Sequence, residues 1–86
     1  VYTDNRVALA HPDVRSALAD ALVTLARPLA PDAVAGTATA GIPLATLLAD
    51  RLALPLCYVR AQPKAHGRGN RIEGQVLPGQ RVVVVE

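Results

Sequence analysis

Phenylalanine, tryptophan and methionine are absent from this 86-residue sequence, and Tyr2 and Tyr58 are its two aromatic residues. A core drawn from Ala, Val and Leu can pack helices closely on a sheet, but it gains little from aromatic burial. A single cysteine, Cys57, excludes a disulfide scaffold. Its place in an apolar run predicts a buried, reduced thiol and a cytoplasmic protein. No apolar run is long enough for a membrane-spanning helix, and Val1 to Ala10 lacks the shape of a signal peptide, so no membrane partner is expected. Internal repeats and low-complexity segments are also missing. At this length the chain makes one domain at most.

Charge is unevenly spread. Nine basic and seven acidic residues leave a net charge of +2. The stretch from Arg60 to Arg71, Arg-Ala-Gln-Pro-Lys-Ala-His-Gly-Arg-Gly-Asn-Arg, holds four of the basic residues and no carboxylate, so the remainder carries −2. A positive field confined to one loop suits a small polyanion better than a long nucleic acid. Loops of about a dozen residues between strands usually have a functional reason.

The surrounding pattern is that of an α/β domain. Tyr2-Thr3 could end a strand, and Asp4-Asn5-Arg6 is polar and turn-like. Pro12 and Asp13 suit a helix start, since proline there loses no needed N–H and the carboxylate meets the positive helix end. Val14, Ala17, Leu18, Ala21, Leu22 and Leu25 follow at helical spacing, predicting one buried stripe before Pro28 and Pro31 stop the helix after Arg27. Asp32 to Gly36 reads as a buried strand, Thr37 to Gly41 as a small-residue loop, and Pro43 onward as a second helix closed by Pro55. Strand, small-residue loop and helix together point backbone N–H groups at an anion. The Gly36 to Gly41 spacing is that of a nucleotide-binding P-loop, but Ile42-Pro43 stands where that motif needs Lys and Ser/Thr. Leu54 to Val59 predicts a strand leading into the basic loop. The alternation from Ile72 to Leu77 predicts a half-exposed strand hairpinned to it. Pro78-Gly79-Gln80 is a turn, and Arg81 to Glu86 is an unalternating β-branched run that reads as a central strand covered on both faces.

Four of these segments resemble orotate phosphoribosyltransferase in order and spacing: Ala35-Gly-Thr-Ala-Thr-Ala-Gly-Ile-Pro43, Leu56-Cys-Tyr-Val-Arg60, Lys64-Ala-His-Gly-Arg-Gly-Asn-Arg-Ile-Glu-Gly74 and Val82-Val-Val-Val-Glu86. The resemblance runs from about Tyr2 to Glu86. It implies a type I phosphoribosyltransferase fold, with a Rossmann-like sheet, flanking helices and a flexible hood loop, here truncated before the C-terminal half. Residues 1–86 would then be a partial phosphoribosyltransferase domain, incomplete at both ends, and the lack of an initiating Met agrees.

The resemblance also implies a chemistry. The family transfers ribose 5-phosphate from phosphoribosyl pyrophosphate to orotate, giving orotidine 5′-monophosphate and pyrophosphate in pyrimidine (UMP) biosynthesis. Mg²⁺ is carried by the donor's phosphates, and no metal-ligand cluster is expected in the chain. Arg60, Lys64 and His66 match the family's donor-contacting residues, with Lys64 and His66 as the catalytic pair. Thr37, Ala38, Thr39, Ala40 and Gly41 would offer backbone amides to the pyrophosphate. Glu86 matches the first residue of the donor-binding signature. The family works as a homodimer in which the 60–71 loop reaches the neighbouring active site. Ala61 and Gln62 stand where the family often has a second lysine. Glu73 and Asp32 read as structural or surface carboxylates, and Arg68 and Arg71 as solvated loop charges. The expectation is that the intact protein is the transferase and that this segment alone is inactive. A non-catalytic regulator of the same fold, binding phosphoribosyl pyrophosphate or a nucleotide, is the alternative. An RNA-binding module is disfavoured, because no aromatic residue lies within the loop to stack on bases.

Overall fold

The computed structural model describes residues 5–62 and 71–86. A single helical turn, α1 (Asn5–Ala8), precedes α2 (Pro12–Ala26), which runs into a 3-10 turn at Arg27–Leu29. Strand β1 (Ala33–Thr37), helix α3 (Ile42–Leu52) and strand β2 (Leu56–Val59) form a parallel crossover unit. Short β3 (Ile72–Glu73) returns antiparallel to β2, and β4 (Val82–Val85) lies parallel to β1 on its other side. The sheet order is therefore β3-β2-β1-β4. This is the α/β arrangement expected from the sequence.

Small side chains explain how closely the layers pack. Ala26, Val34, Ala45, Leu48, Ala49 and Val85 form the buried cluster, ringed by half-buried leucines and valines from both helices and the sheet. Helix α3 lies on β1, and a Cβ on Gly36 would stand 2.8 Å from the Cβ of Ala45, well inside contact distance. Glycine at 36 and alanine at 45 therefore let the helix settle directly on the strand. The helix ends where Ala53 takes a left-handed conformation (φ 55°), and the Leu54 N–H then closes on the Ala49 carbonyl at 2.9 Å. The stop is thus made by a left-handed cap two residues before Pro55.

Two expectations from periodicity need correction. Helix α2 buries Ala19 and Ala26, with Leu22 and Val23 beside them, whereas Val14 and Leu25 are 41% and 70% exposed. Ala26 packs with Ala45, Leu48 and Ala49 of α3, and Arg51 of α3 bonds across to Ser16 and Asp20. Leu25, Leu29 and Val84 instead border an open apolar groove between α2 and β4. Strand β3 stops at Glu73 rather than continuing to Leu77. Gly74 turns the chain out of the ladder with φ +108°, and a Cβ there would stand 3.0 Å from Cys57. Strand β4 lies next to β1, which is buried along most of its length.

The far end of the sheet, away from the predicted site, is tied by Asp32. Its carboxylate accepts the Arg81 N–H at 2.8 Å, and Arg81 in turn donates from Nη1 to the Leu29 carbonyl. Asp32 is a structural carboxylate, as its sequence context suggested. Among the described residues no helix is long and apolar enough to cross a membrane.

Candidate functional site

Strands β4, β1 and β2 run parallel, so their carboxyl ends finish side by side. The register pairs Gly36 with Val85 and Thr37 with Val59. Glu86, the turn after Thr37, and Arg60 therefore leave the sheet next to one another, along the edge where α/β sheets take their ligands.

The turn is bound to both neighbours. The Ala38 N–H donates to the Val59 carbonyl at 2.8 Å, and the Thr37 hydroxyl reaches the Val85 carbonyl at 3.4 Å. The Gly41 N–H closes the turn on the Thr37 carbonyl at 2.8 Å, and the Ile42 N–H donates to the Thr39 carbonyl at 3.2 Å. Gly41 is buried, and a Cβ there would collide with the Val85 carbonyl and the Thr37 backbone. Of the five residues expected to offer amides, Ala38 and Gly41 thus donate within the protein. The N–H groups of Thr39 and Ala40, both exposed, find no acceptor among the described residues. Those two amides, just ahead of the N-terminus of α3, are the ones an anion could meet.

Arg60 continues from β2. Its Nε donates to Glu73 Oε2 at 2.8 Å, and its guanidinium lies 5.9 Å from the centroid of the Tyr58 ring. Donating a hydrogen bond to Glu73 pushes the Arg60 pKa above its already high ordinary value, so the group is a permanent cation. Across the stem, the Arg60 N–H donates to the Arg71 carbonyl at 2.6 Å, and Arg71 Nη2 donates to the Ala61 carbonyl at 2.9 Å. Lys64 and His66, and the segment Pro63 to Asn70 that carries them, lie outside the described residues. Glu86 is exposed and follows β4 directly.

Sequence reasoning passed over Tyr58 and Glu73 as members of this edge. Their signal is positional: pairing Tyr58 with Glu73 in the hairpin makes Arg60 and Glu73 diagonal neighbours on one face.

Solved structures with this architecture are phosphoribosyltransferases. The orotate phosphoribosyltransferase of Aeropyrum pernix matches with a TM-score of 0.78 and 42% identity, over 96% of this chain and 48% of that one. A purine phosphoribosyltransferase from Pyrococcus horikoshii matches with a TM-score of 0.60 at 27% identity, over 84% of this chain and 51% of its own. No family model matches the chain. The fold is that of the type I phosphoribosyltransferases.

Sequence narrows the class. Orotate phosphoribosyltransferases from Bacillus caldolyticus, Bacillus subtilis and Streptococcus gordonii are 58%, 54% and 52% identical to this chain over its whole length. Along its whole length the chain is similar to orotate phosphoribosyltransferases. It spans about two fifths of the length of these curated relatives, 41–42% of each.

Proposed function

We propose that this chain is part of an orotate phosphoribosyltransferase that transfers ribose 5-phosphate from phosphoribosyl pyrophosphate to N1 of orotate. The products are orotidine 5′-monophosphate and pyrophosphate. The observation that carries this reading is the meeting of the Thr37–Gly41 turn and Glu86 at one sheet edge, from which Arg60 leads into the 60–71 loop. On this reading residues 1–86 are a partial domain, incomplete at both ends and inactive alone.

Each group has a part in the chemistry. As the bond from the anomeric carbon to pyrophosphate breaks, negative charge gathers on the leaving group. Arg60, Lys64 and His66 stabilise that charge, and the amides of Thr39 and Ala40 receive phosphate oxygens without any need to be neutralised. Glu86 is an acceptor for ribose hydroxyls. Among the described residues no three His, Cys, Asp or Glu side chains gather, and Glu86 is the carboxylate nearest the turn. That donor set suits Mg²⁺ that keeps mostly phosphate and water oxygens. When bound, the ion offsets charge on the pyrophosphate. The assembly we infer is a cytoplasmic homodimer in which the 60–71 loop serves the neighbouring active site.

The test is to assay the full-length protein with phosphoribosyl pyrophosphate, orotate and Mg²⁺. Orotate-dependent release of pyrophosphate is expected. Donor binding without that release would replace the enzyme with a non-catalytic regulator of the same fold.

A further inference from the structure

The hairpin stem sets two arginines against each other. Tyr58 pairs with Glu73, and the Arg60 N–H bonds to the Arg71 carbonyl, so Tyr58, Arg60, Glu73 and Arg71 share one face. Like charges directly opposite on a sheet face repel. Arg71 turns away to the Ala61 carbonyl, whereas Arg60 lies diagonally against Glu73 at 2.8 Å and over the Tyr58 ring. The side chains of Arg60 and Glu73 are 39% and 23% exposed, so this pair is partly shielded from water. A charge-assisted hydrogen bond in that setting restrains a long side chain better than a fully solvated ion pair does.

We propose that Glu73 is a positioning residue that holds the Arg60 guanidinium over Tyr58, ready for the donor's pyrophosphate. This rests on the reading that Arg60 contacts the donor. An unrestrained arginine must lose rotamer freedom when an anion arrives, and holding it beforehand removes much of that cost from binding. Glu73 engages the guanidinium through Nε. Arginine has five N–H donors, so others remain for phosphate oxygens.

The test compares variants of the full-length enzyme, with phosphoribosyl pyrophosphate and orotate each varied in turn. Glu73→Gln keeps the size of the side chain and removes its charge. It should raise the KM for phosphoribosyl pyrophosphate about tenfold, the scale of one charged hydrogen bond, and leave the KM for orotate unchanged. Glu73→Asp should recover part of the loss. In an Arg60→Ala background, Glu73→Gln should add nothing, because the group it positions is gone. Equal effects in both backgrounds, or equal rises in both KM values, would assign Glu73 a general structural role and overturn the proposal. Tighter donor binding by Glu73→Gln would overturn it too, by showing that Glu73 masks Arg60. If Arg60→Ala itself leaves the donor KM unchanged, the underlying reading of Arg60 fails. A normal Arg60→Ala loss with an inert Glu73→Gln refutes the positioning role alone.

Discussion

The turn after β1 and the stem after β2 stand side by side at the same edge of the sheet, yet they are built by opposite means. The turn is made of backbone: Thr37 to Gly41 carries no charge, and its shape comes from hydrogen bonds to Val59 and Val85. The stem is made of side chains, with Arg60 held by Glu73 and Tyr58 while Arg71 caps the Ala61 carbonyl. A backbone site offers donors that cannot be deprotonated, and it fails only when the chain is displaced. A side-chain site supplies full charges, but each must be held in place against its own rotamer freedom. The two together suit a reaction in which an anion must first be seated and then receive further charge as it leaves.

The largest effect should come from breaking the backbone side. Gly41→Ala would drive a methyl group into the Val85 carbonyl, shift the turn, and lower turnover of the full-length enzyme about a hundredfold, as small displacements of positioning groups do. Assay at saturating substrates, beside circular dichroism to confirm folding, checks this; near-normal turnover would mean the turn does not seat the donor. On the side-chain side, Lys64→Ala should lower kcat about tenfold or more while raising the donor KM less. Equal losses in both would show that the lysine binds ground state and transition state alike. Thr37→Val tests the long bond to the Val85 carbonyl and should cost about 0.5 to 1 kcal/mol in a urea titration. A neutral result there would leave Gly41 packing as the main anchor of the turn. The smallest effect concerns Cys57 beneath the stem, whose thiol pKa is pushed up by burial. Because the folded thiol ionises later than the unfolded one, iodoacetamide should label it more slowly in native protein than in urea near pH 8. The same shift makes stability fall slightly as pH rises past the ordinary thiol range. Equal labelling rates would indicate that the stem opens readily over β2.

How much of this was legible beforehand follows the same division. The basic stretch at 60–71 stood out by composition, and the small-residue turn by its place between a strand and a helix. Element types from α2 to β4 also followed from proline positions and apolar runs. The errors have one cause: periodicity reports which residues are apolar, not which side finds a partner. In α2 the stripe from Val14 to Leu25 predicted the buried face, but Ala19 and Ala26 are the buried residues. In β3 alternation suggested six residues, but Gly74 ends the strand after two by turning over Cys57.

By itself, then, the sequence determined the α/β class, the likeness to orotate phosphoribosyltransferases, and where charge is concentrated. Each of these depends on residues near one another in the chain, or on a pattern matched as a whole. Only the tertiary structure decided that Arg60, the 37–41 turn and Glu86 share one edge, that two of the turn's amides face outward, and that Glu73 holds Arg60. Those facts depend on strand order and register, which bring together groups up to about fifty residues apart, as with the Thr37 hydroxyl and the Val85 carbonyl. No local propensity encodes that distance; it emerges when the helices and strands bury their small apolar side chains together.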